Sequence, residues 1–264
     1  NRLKSMMTYA LENDGFEVYY QPIYSIPLMR YATSEALVRM RDPEFGMISP
    51  AEFIPMAEEN GMIIDIGLTV FEKVCRFVAE TPYEKAGFDT VGINLSVVQC
   101  MQENLADDLI AIMEKYHIDP HCIKLEITET IAAASVGTLQ DTMTHLINYG
   151  CSFALDDFGI GYASMSNMLT LPLKIIKLDK SLIERMVEDD NMKMAVDCII
   201  GLIHRLNMRV VAEGVEVLEE LEILKSLDCD FIQGFYFSKP LPEDSFNDLV
   251  REAAEKSHVQ NHDV

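Results

Sequence analysis

Short runs of β-branched and aromatic residues alternate with longer amphipathic stretches along the chain, and this alternation constrains the fold more than any other feature. The short runs predict strands at Phe16–Tyr20, Tyr31–Leu37, Thr90–Leu95, Ile123–Ile127, Ser152–Leu155, Lys174–Leu178, Arg209–Ala212 and Asp230–Ile232. The longer stretches predict helices at Asp65–Glu80, Leu105–Tyr116, Gly137–Tyr149, Met192–Leu206 and Leu218–Leu227. Strands that alternate with helices favour a largely parallel sheet with helical crossovers.

The number of predicted strands favours a closed (β/α)8 TIM-type barrel of the α/β class over an open doubly wound sheet. A chain of 264 residues suits one such barrel, although it would also suit two small domains. No G-x-G-x-x-G motif or P-loop supports the open sheet. Only about ten residues separate the first two runs, which is short for a parallel crossover. We therefore expect the first strand to be antiparallel to the rest.

Polar side chains stand at or near the end of almost every predicted strand. In chain order they are Gln21, Glu35, Asn94, Glu126, the adjacent pair Asp156 and Asp157, Lys177, Glu213 and Gln233. The carboxyl ends of parallel barrel strands converge on one face, where barrel active sites are built. The sequence therefore predicts one ring of polar groups that contains five carboxylates and a single lysine.

Five carboxylates in one pocket repel one another, so the predicted ring needs positive charge. Mg²⁺ or Mn²⁺ suits carboxylates and an amide carbonyl, and no Cys or His takes part, which argues against zinc. A pair of such ions is the arrangement that clamps the attacking and leaving oxygens in phosphoryl transfer. Taken singly, the residues also fit plainer roles, since Asp-Asp before Phe158 can begin a turn and Asn94 can cap a helix. Taken together, they predict a two-metal phosphodiester hydrolase.

Composition narrows the classes of partner and the cellular setting. The net charge of −22 argues against binding of duplex DNA or RNA, but it allows a small anion held through metal ions. The six cysteines are scattered without a C-x-x-C pair, which fits the reduced thiols of a cytoplasmic protein. No apolar run reaches the ~18 residues of a membrane span, so we expect no membrane contact in this segment.

Several motifs follow one another in a fixed order over almost the whole chain. Glu35 lies in S-E-A-L-V-R, and the others are Y-Q-P-I from Tyr20, N-L-S from Asn94, E-I-T-E from Glu126, D-D-F-G-I-G from Asp156, I-K-L-D from Ile176, A-E-G-V-E from Ala212 and Q-G-F-Y-F-S-K-P from Gln233. In order and in kind they resemble the motifs of the EAL domains, the bacterial phosphodiesterases of cyclic di-GMP. The resemblance implies cleavage of one phosphodiester by water to give linear pGpG, with two Mg²⁺ or Mn²⁺ ions.

The resemblance also implies a role for each matching residue. One metal would be held by Glu35, Asn94, Glu126 and Asp156, with Asp156 as the bridge, and the second by Asp157 and Glu213. Lys177 would orient or activate the attacking water, Glu213 is a candidate general base, and Gln233 would hydrogen-bond near the nucleophile. Glu129 resembles the glutamate that anchors the loop after Asp157 and reaches the dimer interface in the family. The nucleotide pocket would be lined by Gln21, Leu37, Arg39, Asp179, Glu216, Gly234 and Pro240.

Three positions depart from the family pattern without removing a ligand or the lysine: Thr33, Met40 and Ile160. Ile160 replaces the usual small or hydroxyl residue of the D-D-F-G-x-G loop, so it is the position most suited to alter rate or regulation. Two alternative functions stay open. One is a catalytically inactive cyclic di-GMP receptor, and the other is a barrel enzyme of another hydrolytic class, such as a phosphomonoesterase or glycosidase.

The ends of the chain differ in character from the barrel. Residues 1–13 resemble the linker helix that joins EAL domains to an upstream sensor or GGDEF domain, residues 14–255 form the predicted barrel, and residues 256–264 are a polar tail. The first residue is Asn1, so we expect a piece of a longer polypeptide or a processed chain. We expect a homodimer in the cytoplasm, and a membrane tether elsewhere in the parent protein is left open.

Overall fold

The computed structural model describes residues 2–134, 136–159 and 169–260. Within these residues the strands are β1 Phe16–Ser25, β2 Arg30–Asp42, β3 Gly46–Ile48, β4 Thr90–Asn94, β5 Ile123–Thr128, β6 Ser152–Phe158, β7 Ile175–Leu178, β8 Arg209–Ala212, β9 Phe231–Ile232 and β10 Leu241–Pro242. The helices are α1 Arg2–Glu12, α2 Pro50–Glu59, α3 Ile63–Glu80, α4 Val97–Cys100, α5 Leu105–Tyr116, α6 Glu129–Ala134, α7 Val136–Tyr149, α8 Lys180–Glu188, α9 Asp190–Arg205, α10 Leu218–Ser226 and α11 Glu243–Gln260. None of the described helices is both long and apolar enough to cross a bilayer.

Eight strands close into a barrel, which confirms the predicted fold class. Parallel pairs join β2 to β4 and then each strand to the next as far as β9. β1 closes the barrel and is antiparallel to both of its barrel neighbours, β2 and β9. The short strands β3 and β10 extend the sheet beside β2 and β1. The reversed first strand agrees with the short connection between the first two runs.

The two faces of each barrel strand carry different residues because side chains alternate along a strand. In β5, Ile123, Leu125 and Ile127 pack outward into the main hydrophobic core. The intervening residues, Lys124 and Glu126, therefore point into the barrel. The lower part of the interior is closed by a small apolar cluster of Ile23, Ala32, Val211 and Phe231, with Ile175 against it.

The observed elements extend beyond several of the predicted ones. The first run is predicted to stop at Tyr20, whereas β1 continues to Ser25. Gln21 therefore lies within β1, directly opposite Glu35 on β2. The pairing of the two antiparallel strands continues beyond Tyr20, although the apolar run is interrupted there. Ile160 lies outside the described residues.

The start of the barrel lies at the rim where the polar strand ends meet. β1 runs opposite to the other barrel strands, and its first residue, Phe16, pairs with Met40 near the end of β2. Helix α1 precedes it, and the Arg41 amide donates a hydrogen bond to the Gly15 carbonyl at 2.8 Å. The chain therefore enters the barrel beside the ring of polar residues.

Candidate active site

Lys177 is at the centre of the polar ring. Its side chain is fully buried, and its Nζ lies 2.6 Å from Glu126 Oε2, 2.8 Å from Glu213 Oε1, 3.0 Å from Glu35 Oε2 and 3.2 Å from Asp156 Oδ1. The four carboxylates come from four different strands or strand ends. Burial lowers the pKa of Lys177, but these carboxylates outweigh it and raise that pKa well above its ordinary value. Lys177 is therefore held as an ammonium.

The carboxylates form two groups that share one member. The inner group is Glu35, Glu126 and Asp156, and the outer group is Asp156, Asp157 and Glu213. Within each group one ligand atom per residue lies within 4.8 Å of the others. Asp156 belongs to both groups, which is the placement that a bridging ligand requires. Oxygen donors at this spacing suit Mg²⁺ or Mn²⁺, so the residues fit the predicted metals.

An irregularity in β6 brings two consecutive aspartates to the same site. The register of β6 against β7 shifts between Leu155 and Phe158, and Asp157 takes a left-handed conformation with φ of 58°. The Asp157 amide donates to Asp156 Oδ1 at 3.0 Å. In a regular strand the two side chains would point to opposite faces. The bulge is the reason that both reach the outer group.

A chain of amide hydrogen bonds fixes Glu35. Gln233 Nε2 donates to Glu35 Oε2 at 2.6 Å and contacts Gln21 Oε1 at 3.1 Å, and Gln21 Nε2 donates to the Ser238 carbonyl at 3.0 Å. Asn94 Nδ2 donates to the other oxygen of Glu35 at 2.6 Å. Among the described residues, Gln233 Oε1 is buried and has no hydrogen-bond partner. That oxygen is free to accept a bond from a ligand or water.

The carboxyl groups have pKa values that are moved in opposite directions. Burial raises the pKa of Glu35, and it raises that of Glu213 well above the ordinary value although Lys177 opposes the change. Burial and the neighbouring Asp156 raise the pKa of Asp157 to about 6. Burial also acts to raise the pKa of Glu126, but the ammonium groups of Lys124 and Lys177 overcome it and lower the value to about 2.

The expectation of a single lysine is wrong, because Lys124 is a second one. It is fully buried, and its Nζ lies 3.0 Å from Glu126 Oε1, the oxygen that Lys177 does not contact. Lys124 is not one of the strand-end residues, because it precedes the end of β5 by several residues. The signal was present, since Lys124 and Glu126 are two residues apart and so share one face of a strand.

A cavity of about 330 Å³ adjoins the acidic groups. Two residues predicted to bind substrate, Leu37 and Arg39, line it together with Asn94, Asp156 and Asp157. The guanidinium of Arg39 lies 5.3 Å from the centre of the Tyr19 ring. The cavity therefore brings a cation and apolar surface to the edge of the predicted metal site.

Four other residues predicted to bind substrate lie at the rim. Asp179 caps α8, its carboxylate accepting a bond from the Ser181 amide at 2.8 Å, and Glu216 is paired with Lys180 Nζ at 2.6 Å. A side chain at Gly234 would approach the Val215 carbonyl to 2.1 Å, so the backbone requires glycine there. Pro240 precedes β10. The assignment of these four residues to the nucleotide pocket stays a prediction.

Glu129 begins α6 and supports the backbone that follows the aspartate pair. Its Oε1 accepts a hydrogen bond from the Gly159 amide at 3.0 Å, and the side chain is 7% exposed. The contact agrees with the predicted anchoring of the loop after Asp157. The remainder of that loop, 160–168, lies outside the described residues.

Known proteins resemble this chain in sequence and in structure. The sequence profile of the EAL domain matches residues 4–240. The signaling protein YkoW of Bacillus subtilis is 33% identical over 244 residues, which is 92% of this chain and 30% of YkoW. The cyclic di-GMP phosphodiesterase NbdA of Pseudomonas aeruginosa is 31% identical over 252 residues, which is 95% of this chain and 32% of NbdA.

The fold has a close counterpart among solved structures. The PaMucR phosphodiesterase in its c-di-GMP complex superposes with a TM-score of 0.86 at 30% identity, covering 93% of this chain and 100% of that one. The chain spans roughly a third of the length of the curated relatives that it matches. The family profile covers most of the chain, the ordered motifs meet in one site, and the barrel agrees with a solved relative, so the chain belongs to the EAL domain family.

Proposed function

We propose that this chain is a cyclic di-GMP phosphodiesterase that hydrolyses one phosphodiester of its substrate to give linear pGpG. The observation that carries the proposal is the sharing of Asp156 between two groups of carboxylates, each compact enough to hold one divalent ion. Relatives described as cyclic di-GMP phosphodiesterases, and a solved relative in complex with c-di-GMP, indicate the substrate class.

The metal assignment follows from the donor atoms. Glu35, Glu126, Asp156 and the carbonyl of Asn94 would hold one Mg²⁺ or Mn²⁺, and Asp156, Asp157 and Glu213 would hold the other. Such ions lower the pKa of coordinated water and stabilise negative charge on phosphoryl oxygens. They also give a protein of net charge −22 a local attraction for a substrate with two phosphates.

The side chains around the ions divide the remaining work. Lys177 is held as an ammonium, so it suits the orientation of water and the neutralisation of phosphate charge better than removal of a proton. Glu213 belongs to the outer group and is partly exposed, which suits the role of proton acceptor there. Gln233 Oε1 can accept a hydrogen bond from the attacking water while its amide nitrogen holds Glu35.

Substrate binding is assigned to the cavity beside the acidic groups. Arg39 supplies a guanidinium that can bind phosphate or the edge of guanine, and Leu37 supplies apolar surface. Gln21, Asp179, Glu216, Gly234 and Pro240 complete the proposed set. Glu216 is paired with Lys180, so substrate would have to compete with that ion pair for its carboxylate.

The test is hydrolysis of cyclic di-GMP by the purified chain with Mg²⁺, with Mn²⁺ and with a chelator. We expect metal-dependent formation of pGpG and a loss of more than about 100-fold in Glu35→Ala, because removal of a ligand should exceed the effect of removing an outer partner. Glu188→Ala is the matched control, since that glutamate is exposed at the end of α8. Tight binding of cyclic di-GMP without product would contradict the proposal and make the chain a receptor.

We also propose how this domain is arranged in its parent protein. The curated relatives are about three times as long as the matched region, which supports a parent protein with further domains joined through the N-terminal helix. We assign residues 1–13 to that linker, 14–255 to the catalytic barrel and 256–264 to a polar tail, in a cytoplasmic homodimer. Sedimentation of the purified chain at micromolar concentration tests the dimer.

A further inference from the structure

Lys124 is a buried charge to which the proposed reaction assigns no role. It lies on β5, one inward position below Glu126, and its register partners on the neighbouring strands are Gly92 and Ser152. Its side chain is 0% exposed, and among the described residues its Nζ forms an ion pair but no well-aligned hydrogen bond. The one carboxylate that the structure places beside it is Glu126, at 3.0 Å from Nζ to Oε1.

Gly92 on β4 leaves the space in which this ion pair forms. It is the register partner of both Glu35 and Lys124. A Cβ at this position would lie 2.0 Å from Glu126 Oε1 and 3.0 Å from Lys124 Cε. Any larger residue would therefore push the glutamate oxygen away from the lysine. Two positions on adjacent strands together make this contact possible.

The ion pair with Lys124 gives the two carboxylate oxygens of Glu126 different neighbours. Oε1 faces Lys124 below the site, while Oε2 faces Lys177 and the inner group. A buried ammonium is costly unless a counter-charge accompanies it, and removal of one partner leaves the other uncompensated. A fixed positive charge beside a metal ligand also repels any cation that the ligand binds. These two effects act on the same carboxylate.

We propose that Lys124 is a positioning residue that serves as the resident counter-ion of Glu126 and lowers the affinity of the inner group for divalent metal. It holds Oε1 out of the site, leaves Oε2 to face the cation, and compensates the carboxylate when no metal is bound. The inference rests on the proposed function, since it takes the inner group to be a metal site. Its consequence is a centre that can lose its metal and remain folded.

The test is titration of the chelator-treated protein with Mn²⁺, followed by the electron paramagnetic resonance of the free ion. We expect Lys124→Met to bind Mn²⁺ at least about fivefold more tightly than the natural chain, because a unit charge within a few Å of the site is removed. Lys174→Met, at an exposed lysine just before β7, is the control for net charge and should leave the Kd unchanged. Unchanged or weaker binding in Lys124→Met would overturn the inference, and a merely structural lysine would give weaker binding.

A second measurement covers the case in which Lys124→Met does not fold without metal. Glu126→Gln and the double variant Lys124→Met/Glu126→Gln are unfolded in urea with chelator present. We expect the double variant to have an unfolding constant at least about tenfold lower than Glu126→Gln, because removal of both partners leaves no buried unpaired charge. Equal constants would overturn the counter-ion relation. If the natural chain binds Mn²⁺ but does not hydrolyse cyclic di-GMP, the proposed function is contradicted. The comparison of Glu126→Gln with the double variant would still test the counter-ion relation.

Discussion

The inner and outer carboxylate groups share Asp156 but are built in different ways. The inner group stands on β2, β5 and β6, is at most 9% exposed, and has its Glu126 between two lysines. The outer group depends on a bulge at Asp157 and on Glu213, which follows β8, and both of these residues are partly exposed. Strand register fixes the first group, and irregular backbone fixes the second. We therefore expect the inner group to affect folding and the outer group to affect metal exchange.

The largest expected effect is a difference in the free energy of unfolding between variants of the two glutamates of the inner group. The pKa of Glu126, about 2 against an ordinary 4.5, corresponds to roughly 3 kcal/mol of stability above pH 4.5. We expect Glu126→Gln to lose this amount in urea unfolding with chelator at pH 7. Glu35→Gln should change the free energy of unfolding by less than about 1 kcal/mol, because burial already raises the pKa of Glu35.

The pH dependence of the stability difference between the natural chain and Glu126→Gln is a second test. A lowered carboxyl pKa contributes stability that is present above the unfolded value and is lost as pH falls through the folded one. The gap between the natural chain and Glu126→Gln should therefore close between about pH 4.5 and pH 2. A gap that persists at pH 2, or equal losses in the two variants at pH 7, would remove the distinction between these glutamates.

The next expected effect is a gain in stability, and it concerns Asp157 of the outer group. The pKa of Asp157 is raised to about 6, so its contribution to stability is present below the ordinary value of 3.8 and is lost as pH rises through 6. We expect Asp157→Asn to raise the Tm of the metal-free chain at pH 8 by ~2–4 °C. The gain should shrink toward zero below about pH 4 and reverse when Mn²⁺ is present, because a ligand is lost.

The chain offers a matched control for this substitution. Asp228 is exposed and has a φ of 56°, close to the 58° of Asp157, so Asp228→Asn makes the same change in the same backbone conformation outside the site. Asparagine tolerates this left-handed conformation as well as aspartate does. An equal rise in Tm for the two variants would mean that backbone preference, and not charge repulsion, is the cause.

The smallest expected effect tests whether the outer group depends on the loop that follows Asp157. Glu129→Ala removes the acceptor for the Gly159 amide, whereas Glu129→Gln keeps an oxygen for it. We expect the alanine variant to lose about tenfold in turnover and to weaken binding of the second Mn²⁺ more than the first. The glutamine variant should stay within about threefold of the natural chain. Equal losses in both variants would indicate that the charge of Glu129 matters, not its hydrogen bond.

Much of the site could be predicted from the sequence because a parallel barrel gathers its strand ends. Glu35, Glu126 and Lys177 lie on predicted strands and Asp156 directly follows one, and strand geometry alone brings such ends together. The reversed first strand was likewise expected from a connection too short for a crossover. Local pattern and global topology agree in these elements, so simple rules are sufficient.

Two features could not be predicted by these rules. The bulge at Asp157 depends on how β6 pairs with β7, and no short pattern distinguishes it from a turn. The rule of strand ends omits Lys124, which lies one inward position below Glu126, and the space for its side chain depends on Gly92 of a neighbouring strand. The bulge and the space beside Gly92 arise from contacts between strands, which the pattern of a single strand does not contain.

The reversal of β1 also changes what a tether at the N-terminus can do. In a barrel whose strands all run the same way, the first strand starts at the end remote from the active site. Here Phe16 starts at the rim of the acidic cluster, and α1 leads into it from the same side. A domain joined ahead of α1 would therefore be attached on the side of the barrel that carries the acidic groups.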